Sequence, residues 1–263
     1  MNYANYERIR IARAGRVLTL TLSNPSKMNA VDGRMHEELS RIFYDVQDDD
    51  SVDIVVLQGD GNAFSAGGDI EWMRDAAQGK IQGPSTVEAK KIIFGLLDLE
   101  KPLIAKVRGP AIGLGCTVAL FCDVIFAADT ARFADPHVKV GVVAGDGGAV
   151  IWPQLIGYAK AKEYLMTGDA IIASEAERMG LINHSVPESD LDKRVDAFAS
   201  RLANGAPQAI KYTKVAVNLR LKEIAHTILD ASLAYEMLTF ATSDHREAVA
   251  SFLEKRKPVF TGK

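Results

Sequence analysis

The sequence lacks the features that mark several large classes of protein. Its 263 residues contain only two cysteines, and no apolar run reaches the roughly 18 residues of a membrane-spanning helix. A formal net charge of −3 provides no excess of positive charge for binding nucleic acid or an anionic membrane. Cys116 and Cys122 fall on one predicted helix, where their spacing suits neither a disulfide nor a metal site. We therefore expect buried, reduced thiols in a cytoplasmic protein without nucleic-acid or membrane partners.

Common phosphate-binding motifs are also missing. No Gly-x-Gly-x-x-Gly follows a predicted strand and no Walker A pattern is present, which argues against dinucleotide-binding and P-loop folds. Ser65, Asp146 and His184 occur in the chain order of an α/β-hydrolase triad. Ala63, however, stands where the nucleophile elbow of that fold needs glycine. A serine hydrolase is therefore a disfavoured alternative.

Glycine, by contrast, is concentrated in two corners that follow predicted strands. Residues 109–115 follow a strand at 103–107 and open an apolar helix, and residues 59–70 follow a strand at 54–58 and open a short helix. The first N–H groups of a helix are unpaired and can bind negative charge. Two such corners can place one N–H each on a single oxygen, which is the geometry of an oxyanion hole. Either corner alone is also typical of an ordinary strand-to-helix connection.

Strands and helices alternate through most of the chain, which predicts an α/β fold. Ser174 is predicted to cap a helix as part of a capping box. Only helices follow near the carboxyl end, and their predicted spans are 191–203, 207–221, 224–239 and 244–256. We therefore predict a core of residues 1–200 and a helical subdomain of residues 201–263 that covers the site or builds an oligomer.

Both glycine corners match motifs of one known family. Residues 63–70, AFSAGGDI, resemble the AFxAGxDI signature of the enoyl-CoA hydratase/isomerase (crotonase) superfamily, and residues 109–123 are similar to its second signature. The resemblance extends over essentially the whole chain, so the sequence is identified as a member. It implies a crotonase-like spiral of repeated ββα units with a C-terminal all-α trimerisation subdomain. The assembly would be a homotrimer or a dimer of trimers.

The resemblance also implies a ligand and the residues that bind it. The ligand would be an acyl-coenzyme A thioester, whose carbonyl oxygen would accept the backbone N–H groups of Gly68 and Leu114. Many members have glycine at the position of Leu114, but a backbone donor does not depend on its side chain. Coenzyme A would arrive as part of the substrate, with no further cofactor and no metal. The residues implied to contact coenzyme A are Ser26, Lys27, Met28, Ala66, Gly67, Asp69, Ile70, Phe252 and Lys255.

The sequence departs from the family where hydratases carry the two glutamates that act as acid and base. Thr117 and His137 occupy these positions, so ordinary hydration is not assured. His137, which is expected to titrate near neutrality, and Asp146 could share the proton transfers instead. A hydrogen-bonded loop histidine and a helix N-cap are the structural alternatives for these two residues. Packing is the expected role of Thr117.

These observations predict an enzyme of the enoyl-CoA hydratase/isomerase family that stabilises a thioester enolate. The reaction stays open among hydration, double-bond migration, thioester hydrolysis and decarboxylation, because all of them use the same enolate. His137 and Asp146 would move the protons in the alternatives to hydration. An alternative of another class is a catalytically silent protein that binds acyl-CoA.

Overall fold

A computed structural model describes residues 3–263, so the first two residues of the predicted core lie outside the described residues. The fold is α/β, as predicted. Its strands are β1 (Ile9–Ala14), β2 (Val17–Leu22), β3 (Ile54–Gly59), β4 (Leu103–Val107), β5 (Pro110–Ile112), β6 (Val124–Ala128), β7 (Arg132–Ala134), β8 (Ile171–Ile172) and β9 (His184–Val186). Its α-helices are α1 (Gly33–Gln47), α2 (Ile70–Ala77), α3 (Thr86–Asp98), α4 (Leu114–Leu120), α5 (Gly148–Thr167), α6 (Ala173–Arg178), α7 (Leu191–Ala203), α8 (Pro207–Phe240) and α9 (Ser243–Leu253).

The main sheet has its strands in the order β1-β2-β3-β4-β6-β9, and a smaller sheet has the order β5-β7-β8. In the main sheet β1 and β2 are antiparallel, and each later pair within residues 3–263 is parallel. Its central strands are nearly continuous apolar runs because both faces are covered. Along β3, Val55 and Leu57 belong to the larger core, whereas Ile54 and Val56 pack towards α7 in a smaller one.

Helix α1 shows how the sequence specifies one of the covering layers. The carboxylate of Asp32 accepts the N–H of Met35 at 2.9 Å and so caps the first turn. Met35, Leu39, Ile42 and Val46 recur at three- and four-residue spacing and are buried in the larger core. Helix α1 therefore packs with α3 over one face of the main sheet.

Two predicted helix details are wrong. Residues 207–240 form the single helix α8 of 34 residues, where two helices were predicted. The predicted break fell on Lys222 and Glu223, which are good helix formers, and neither glycine nor proline lies there to end the helix. Helix α6 begins at Ala173, and its N-cap is Ile172, which makes no side-chain cap. Ser174 therefore lies inside the helix, and the predicted capping box is not formed.

Helix α8 joins the C-terminal part of the chain to the core. Its residues Ala225, Leu229 and Leu233 belong to the larger core, and it packs against α3 and α5. This packing brings the second half of α8 close to the carboxyl edge of the main sheet, where the glycine corners lie. The division into residues 1–200 and 201–263 stays a prediction.

The composition predicts buried thiols and no membrane-spanning helix. Cys116 and Cys122 are free and buried, and burial raises the pKa of both thiols, as expected for inert small hydrophobes. Within residues 3–263, every helix is too short or too polar to cross a bilayer.

Candidate active site

The two glycine corners meet beside the carboxyl ends of β3 and β4. Strand β5 lies within the corner of residues 109–115 and runs alongside the corner of residues 59–70, where the N–H of Ile112 donates to Ser65 O at 3.0 Å. A Cβ on Gly67 would lie 2.9 Å from Ile112 O, and one on Gly113 would lie 3.7 Å from Gly67 Cα. Both glycines have positive φ, 85° and 54°. Glycine is therefore needed where the two corners touch.

Two main-chain N–H groups at this contact are unpaired. The N–H groups of Gly68 and Leu114 have no acceptor among residues 3–263. Their neighbours Asp69 and Gly113 each donate to a backbone carbonyl at 2.9 Å. Leu114 is the first residue of α4, where an N–H has no partner inside the helix. Gly68 and Leu114 line the same cavity, so both unpaired donors belong to one site.

The cavity that contains these donors, here called the central cavity, has mostly apolar walls. Apolar walls with a few convergent polar groups are typical of small-molecule sites. Its apolar lining comes from both halves of the chain and includes Val31, Trp72, Met73, Pro84, Ala89, Leu114, Leu233, Met237 and Phe240. Its titratable lining residues are His36, His137, Asp146 and Glu236. The cavity thus combines backbone donors, an apolar surface and ionisable groups.

His137 and Asp146 lie together in the wall of the central cavity. His137 opens a 3-10 turn after β7, and its Nε2 is 3.4 Å from Asp146 Oδ2. The other ring nitrogen, Nδ1, hydrogen-bonds to Asp135 Oδ1. The hydroxyl of Thr117 donates to Asp146 Oδ1 at 3.5 Å. Both positions at which the sequence departs from the family's glutamates therefore contact Asp146.

The structure shows which of the structural alternatives, a helix N-cap for Asp146 and a hydrogen-bonded loop histidine for His137, is present. Gly147, not Asp146, is the N-cap of α5, and the cap makes no side-chain hydrogen bond. Asp146 is buried, although it does not cap the helix. His137 is a hydrogen-bonded histidine, as one alternative held, but its partners are carboxylates in the cavity wall. Thr117 is fully buried, in agreement with a packing role.

The pKa of His137 lies well above its usual value of 6.5. Burial alone would lower it, but the charges of Asp135 and Asp146, and the hydrogen bonds to both, outweigh burial. The ring is therefore an imidazolium at neutral pH, and the expectation that it titrates near neutrality is wrong. Ligand atoms of these three residues lie within 4.8 Å of one another, close enough to share a metal ion. The imidazolium already supplies positive charge between the two carboxylates.

Glu236 is a residue of this site that the sequence analysis missed. It lies on α8, is buried, and has an Oε2 atom with no hydrogen-bond partner among the described residues. Burial, and then the charge of Asp146, raise the pKa of Glu236 to about 8. A signal was present in the sequence, because Leu229, Leu233, Glu236 and Phe240 follow the spacing of one helix face. A carboxyl in an apolar stripe is unusual enough to indicate a partner or a function.

The loops predicted to hold coenzyme A lie next to each other. The N–H of Ala66 donates to Met28 O at 3.0 Å, which places Ser26, Lys27 and Met28 beside the corner of residues 59–70. Lys27 Nζ pairs with Asp69 at 2.5 Å and with Glu71 at 2.6 Å. The same Asp69 caps α2, since its Oδ1 accepts the N–H of Glu71 at 2.9 Å. In the same segment, Gly67 lies where the two corners touch, and Ile70 is the first residue of α2.

Phe252 and Lys255 lie at the end of α9, a helix that packs against α2. Phe252 is on the exposed side of α9, and Lys255 follows the helix with a left-handed φ of 55°. Neither belongs to the lining of the central cavity in the part of the chain that the structure describes. The other predicted coenzyme A contacts also lie outside that lining, so their position relative to the cavity does not distinguish these two residues.

The residues of the hydrolase alternative do not form a triad. Ser65 Oγ donates to the backbone oxygen of Asn29 at 2.8 Å. His184 belongs to β9 at the edge of the main sheet, where its ring lies 4.5 Å from that of Phe126. Asp146 is paired with His137 instead. The geometry therefore removes the serine hydrolase from consideration.

Comparison with known proteins assigns the chain and its fold to a family. A sequence model described as enoyl-CoA hydratase/isomerase matches residues 12–263. The chain belongs to the enoyl-CoA hydratase/isomerase family. A crotonyl-CoA hydratase of Syntrophomonas wolfei is 35% identical over 270 residues, covering 98% of this chain and 99% of the relative. A short-chain-enoyl-CoA hydratase of Clostridium acetobutylicum is 33% identical over 261 residues, covering 94% and 95%.

A solved structure of the enoyl-CoA hydratase/isomerase family has the same fold. The crystal structure of an enoyl-CoA hydratase/isomerase from Mycobacterium paratuberculosis matches with a TM-score of 0.88 at 34% identity. The match covers 93% of this chain and 98% of that one. The recognition of the family, the crotonase-type fold and the prediction of an enzyme of this family are thereby confirmed.

Proposed function

We propose that this enzyme acts on an acyl-CoA thioester by stabilising its enolate with the N–H groups of Gly68 and Leu114. The observation that carries the proposal is the pair of unpaired donors that line one cavity. A thioester oxygen gains negative charge when an α-proton leaves or when a nucleophile adds at the β-carbon. Fixed donors aimed at that oxygen lower the barrier, because they need no reorganisation during the reaction.

Asp146 is the general base of the proposed reaction. Its carboxylate faces the cavity, and the imidazolium of His137 lies beside it. A carboxylate in this position can take a proton from water or from carbon. His137 holds Asp146 in place, and Asp135 fixes the imidazole ring from the other side.

Hydration of a 2-enoyl-CoA, or migration of its double bond, is the reaction that fits these groups best. Both reactions need a base, an enolate site and a proton donor. Two relatives more than 30% identical are named as hydratases, which favours hydration. Thioester hydrolysis and decarboxylation use the same enolate site and are the alternatives.

The proposal can be tested with a panel of acyl-CoA thioesters analysed by mass spectrometry in D₂O. Hydration adds one water to the substrate and places deuterium at the α-carbon, whereas migration of a 3-enoyl double bond places it at the γ-carbon. Loss of ultraviolet absorbance from crotonyl-CoA reports hydration directly. Release of free thiol would assign a hydrolase instead, and binding without turnover of any member of the panel would assign the silent acyl-CoA-binding protein.

A substitution at Thr117 tests whether the residue that replaces a family glutamate takes part in the chemistry. We expect Thr117→Val to lower kcat by less than about tenfold, because the 3.5 Å hydrogen bond to Asp146 is long and a weak bond contributes little. The near-identical shape of valine preserves the packing of a fully buried side chain. Steady-state kinetics on the preferred thioester measure the effect. A loss above a hundredfold would instead show that the hydroxyl takes part in the chemistry.

Coenzyme A is proposed to lie across the loops that contain Ser26, Lys27, Met28 and Ala66. We expect Lys27→Gln to raise KM by up to about tenfold with little change in kcat, since a half-exposed charge interacts weakly with a phosphate through water. The difference should shrink at high salt. Lys80→Gln, a change at an exposed lysine outside this loop cluster, is the control. A fall in kcat at unchanged KM would contradict the assignment.

A homotrimer, or a dimer of trimers, is proposed as the assembly. Large apolar side chains on the C-terminal helices are exposed in the single chain, which favours their burial between subunits. They include Tyr212, Val217, Leu219, Tyr235, Leu238 and Phe252. A neighbouring subunit would also allow Phe252 and Lys255 to reach a coenzyme A bound to another chain.

A further inference from the structure

We propose that Glu236 is the proton donor that works together with the base Asp146 in this site. Hydratases of the family carry two glutamates, and this chain has neither at the matching positions. Glu236 would supply the second carboxyl group from α8. The inference rests on the proposed function, since it needs an acyl-CoA enolate in the central cavity. It adds to that function by assigning a group to the second proton transfer.

The side chain of Glu236 is placed to meet a ligand. It is 7% exposed, and it lines the cavity together with Gly68, Leu114 and Asp146. Its Oε2 atom is buried without a hydrogen-bond partner among residues 3–263. A buried polar atom without a partner is costly in a folded protein. The side chain of Glu236 therefore belongs to the cavity wall and carries an oxygen that no described protein group satisfies.

Two contacts hold Glu236 against the loop that carries Asp146. Ser232, one turn earlier on α8, donates its hydroxyl to Gly145 O at 2.7 Å. A Cβ on Gly145 would lie 2.7 Å from both Cβ and Oε2 of Glu236. The absence of a side chain at residue 145 therefore lets the carboxyl lie next to the residue that precedes Asp146. This contact brings two carboxyl groups to one side of the cavity.

The electrostatic environment keeps Glu236 protonated at neutral pH. Burial is the largest cause, the negative charge of Asp146 the second, and together they raise its pKa to about 8 against the opposing charge of His137. Two carboxyl groups in one site favour one ionised and one neutral member. The titratable groups near it on the packed elements are Asp135, His137, Asp146, the His36–Glu88 pair, and His245 beyond Phe240.

The proton transfers balance for addition of water to an enoyl-CoA. An O–H bond of water breaks as Asp146 takes the proton, and the oxygen bonds to the β-carbon. The π-electron pair moves towards the thioester oxygen and forms the enolate. The O–H bond of Glu236 then breaks as its proton passes to the α-carbon and the carbonyl re-forms. Asp146 ends protonated and Glu236 ionised, and transfer of one proton between them restores the starting state.

Glu236→Gln tests the assignment, because glutamine has the shape and neutrality of the protonated acid but cannot donate that proton. We expect kcat to fall by about 10²–10⁴ with KM little changed. Wild-type kcat should fall above about pH 8, whereas the residual rate of the variant should lack that alkaline limb. Glu223→Gln, at an exposed glutamate of the same helix that pairs with Arg220, should leave kinetics unchanged. Turnover of Glu236→Gln within twofold of wild type would overturn the assignment.

Infrared spectroscopy provides a readout that needs no turnover. Wild-type protein at pH 7 should show the C=O band of a buried protonated carboxyl, which disappears in Glu236→Gln and persists in Glu223→Gln. Persistence of the band in Glu236→Gln, or its absence from wild type, would overturn the assignment. If wild type processes no thioester yet shows this band, the proposed reaction fails while the protonated state of Glu236 stands. The two failures are thereby distinguishable.

Discussion

Replacement of Leu114 by proline is expected to lower kcat by about 10²–10³, the usual cost of removing one oxyanion donor. Leu114 is the first residue of α4, and its N–H has no acceptor among residues 3–263. Proline is well tolerated at the first position of a helix, because the N–H it removes has no partner inside the helix. The substitution therefore deletes the proposed donor while the helix remains. Steady-state kinetics on the preferred thioester measure the loss.

Leu114→Ala is the matched control for the proline variant. It removes most of the buried side chain but keeps the N–H group, so it separates lost packing from the lost donor. We expect its kcat to stay within about tenfold of wild type, since the donor is a backbone group. Circular dichroism and thermal unfolding show whether both variants fold. Equal losses in two folded variants would argue against an N–H role for Leu114.

Asp146→Asn is expected to lower kcat by about 10²–10⁴, because asparagine cannot accept the proton that the base removes. The substitution keeps the size of a buried side chain that contacts both His137 and Thr117. It also removes one of the two negative charges that raise the pKa of His137. The imidazole should therefore titrate at lower pH in the variant, which NMR of the ring protons can follow.

Asp169→Asn provides the control for the change at Asp146. Asp169 is exposed and pairs with Lys139 on the surface, so its loss should leave kcat and the His137 titration unchanged. Wild-type turnover by Asp146→Asn would show that Asp146 is not the base. A loss of turnover without any change in the titration of His137 would instead support Asp146 as the base but contradict its effect on the pKa of His137.

The glycine corners could be predicted from the sequence because their signals are local. Glycine after an apolar run marks a strand-to-helix corner wherever it occurs, and parallel strands bring such corners to one edge. Asp146 and His137 could be proposed as a pair because His137 occupies the position of a family glutamate and Asp146 lies close to it in sequence. The charge state of His137 could not be predicted, since it depends on burial between two carboxylates that only the folded chain brings together.

Glu236 shows where local sequence reasoning ends. It reaches the site only because α8 continues through Lys222 and Glu223 and packs against the core. With the helix predicted to end at residue 221, nothing in the sequence set the direction of the following helix or placed residue 236 near Asp146. Helix propensity favoured continuation, and an apolar stripe interrupted by one glutamate was visible. The contact itself spans about 90 residues of sequence and is set by tertiary packing.

The infrared carbonyl band of a bound thioester labelled with ¹³C at its carbonyl carbon tests the central claim most directly. Hydrogen bonds from Gly68 and Leu114 should polarise that carbonyl, so its stretch should move to lower wavenumber on binding to wild type and to Leu114→Ala. In Leu114→Pro most of this shift should be lost while the thioester still binds. A bound carbonyl with the same frequency as in water, or an equal shift in the proline variant, would contradict the account.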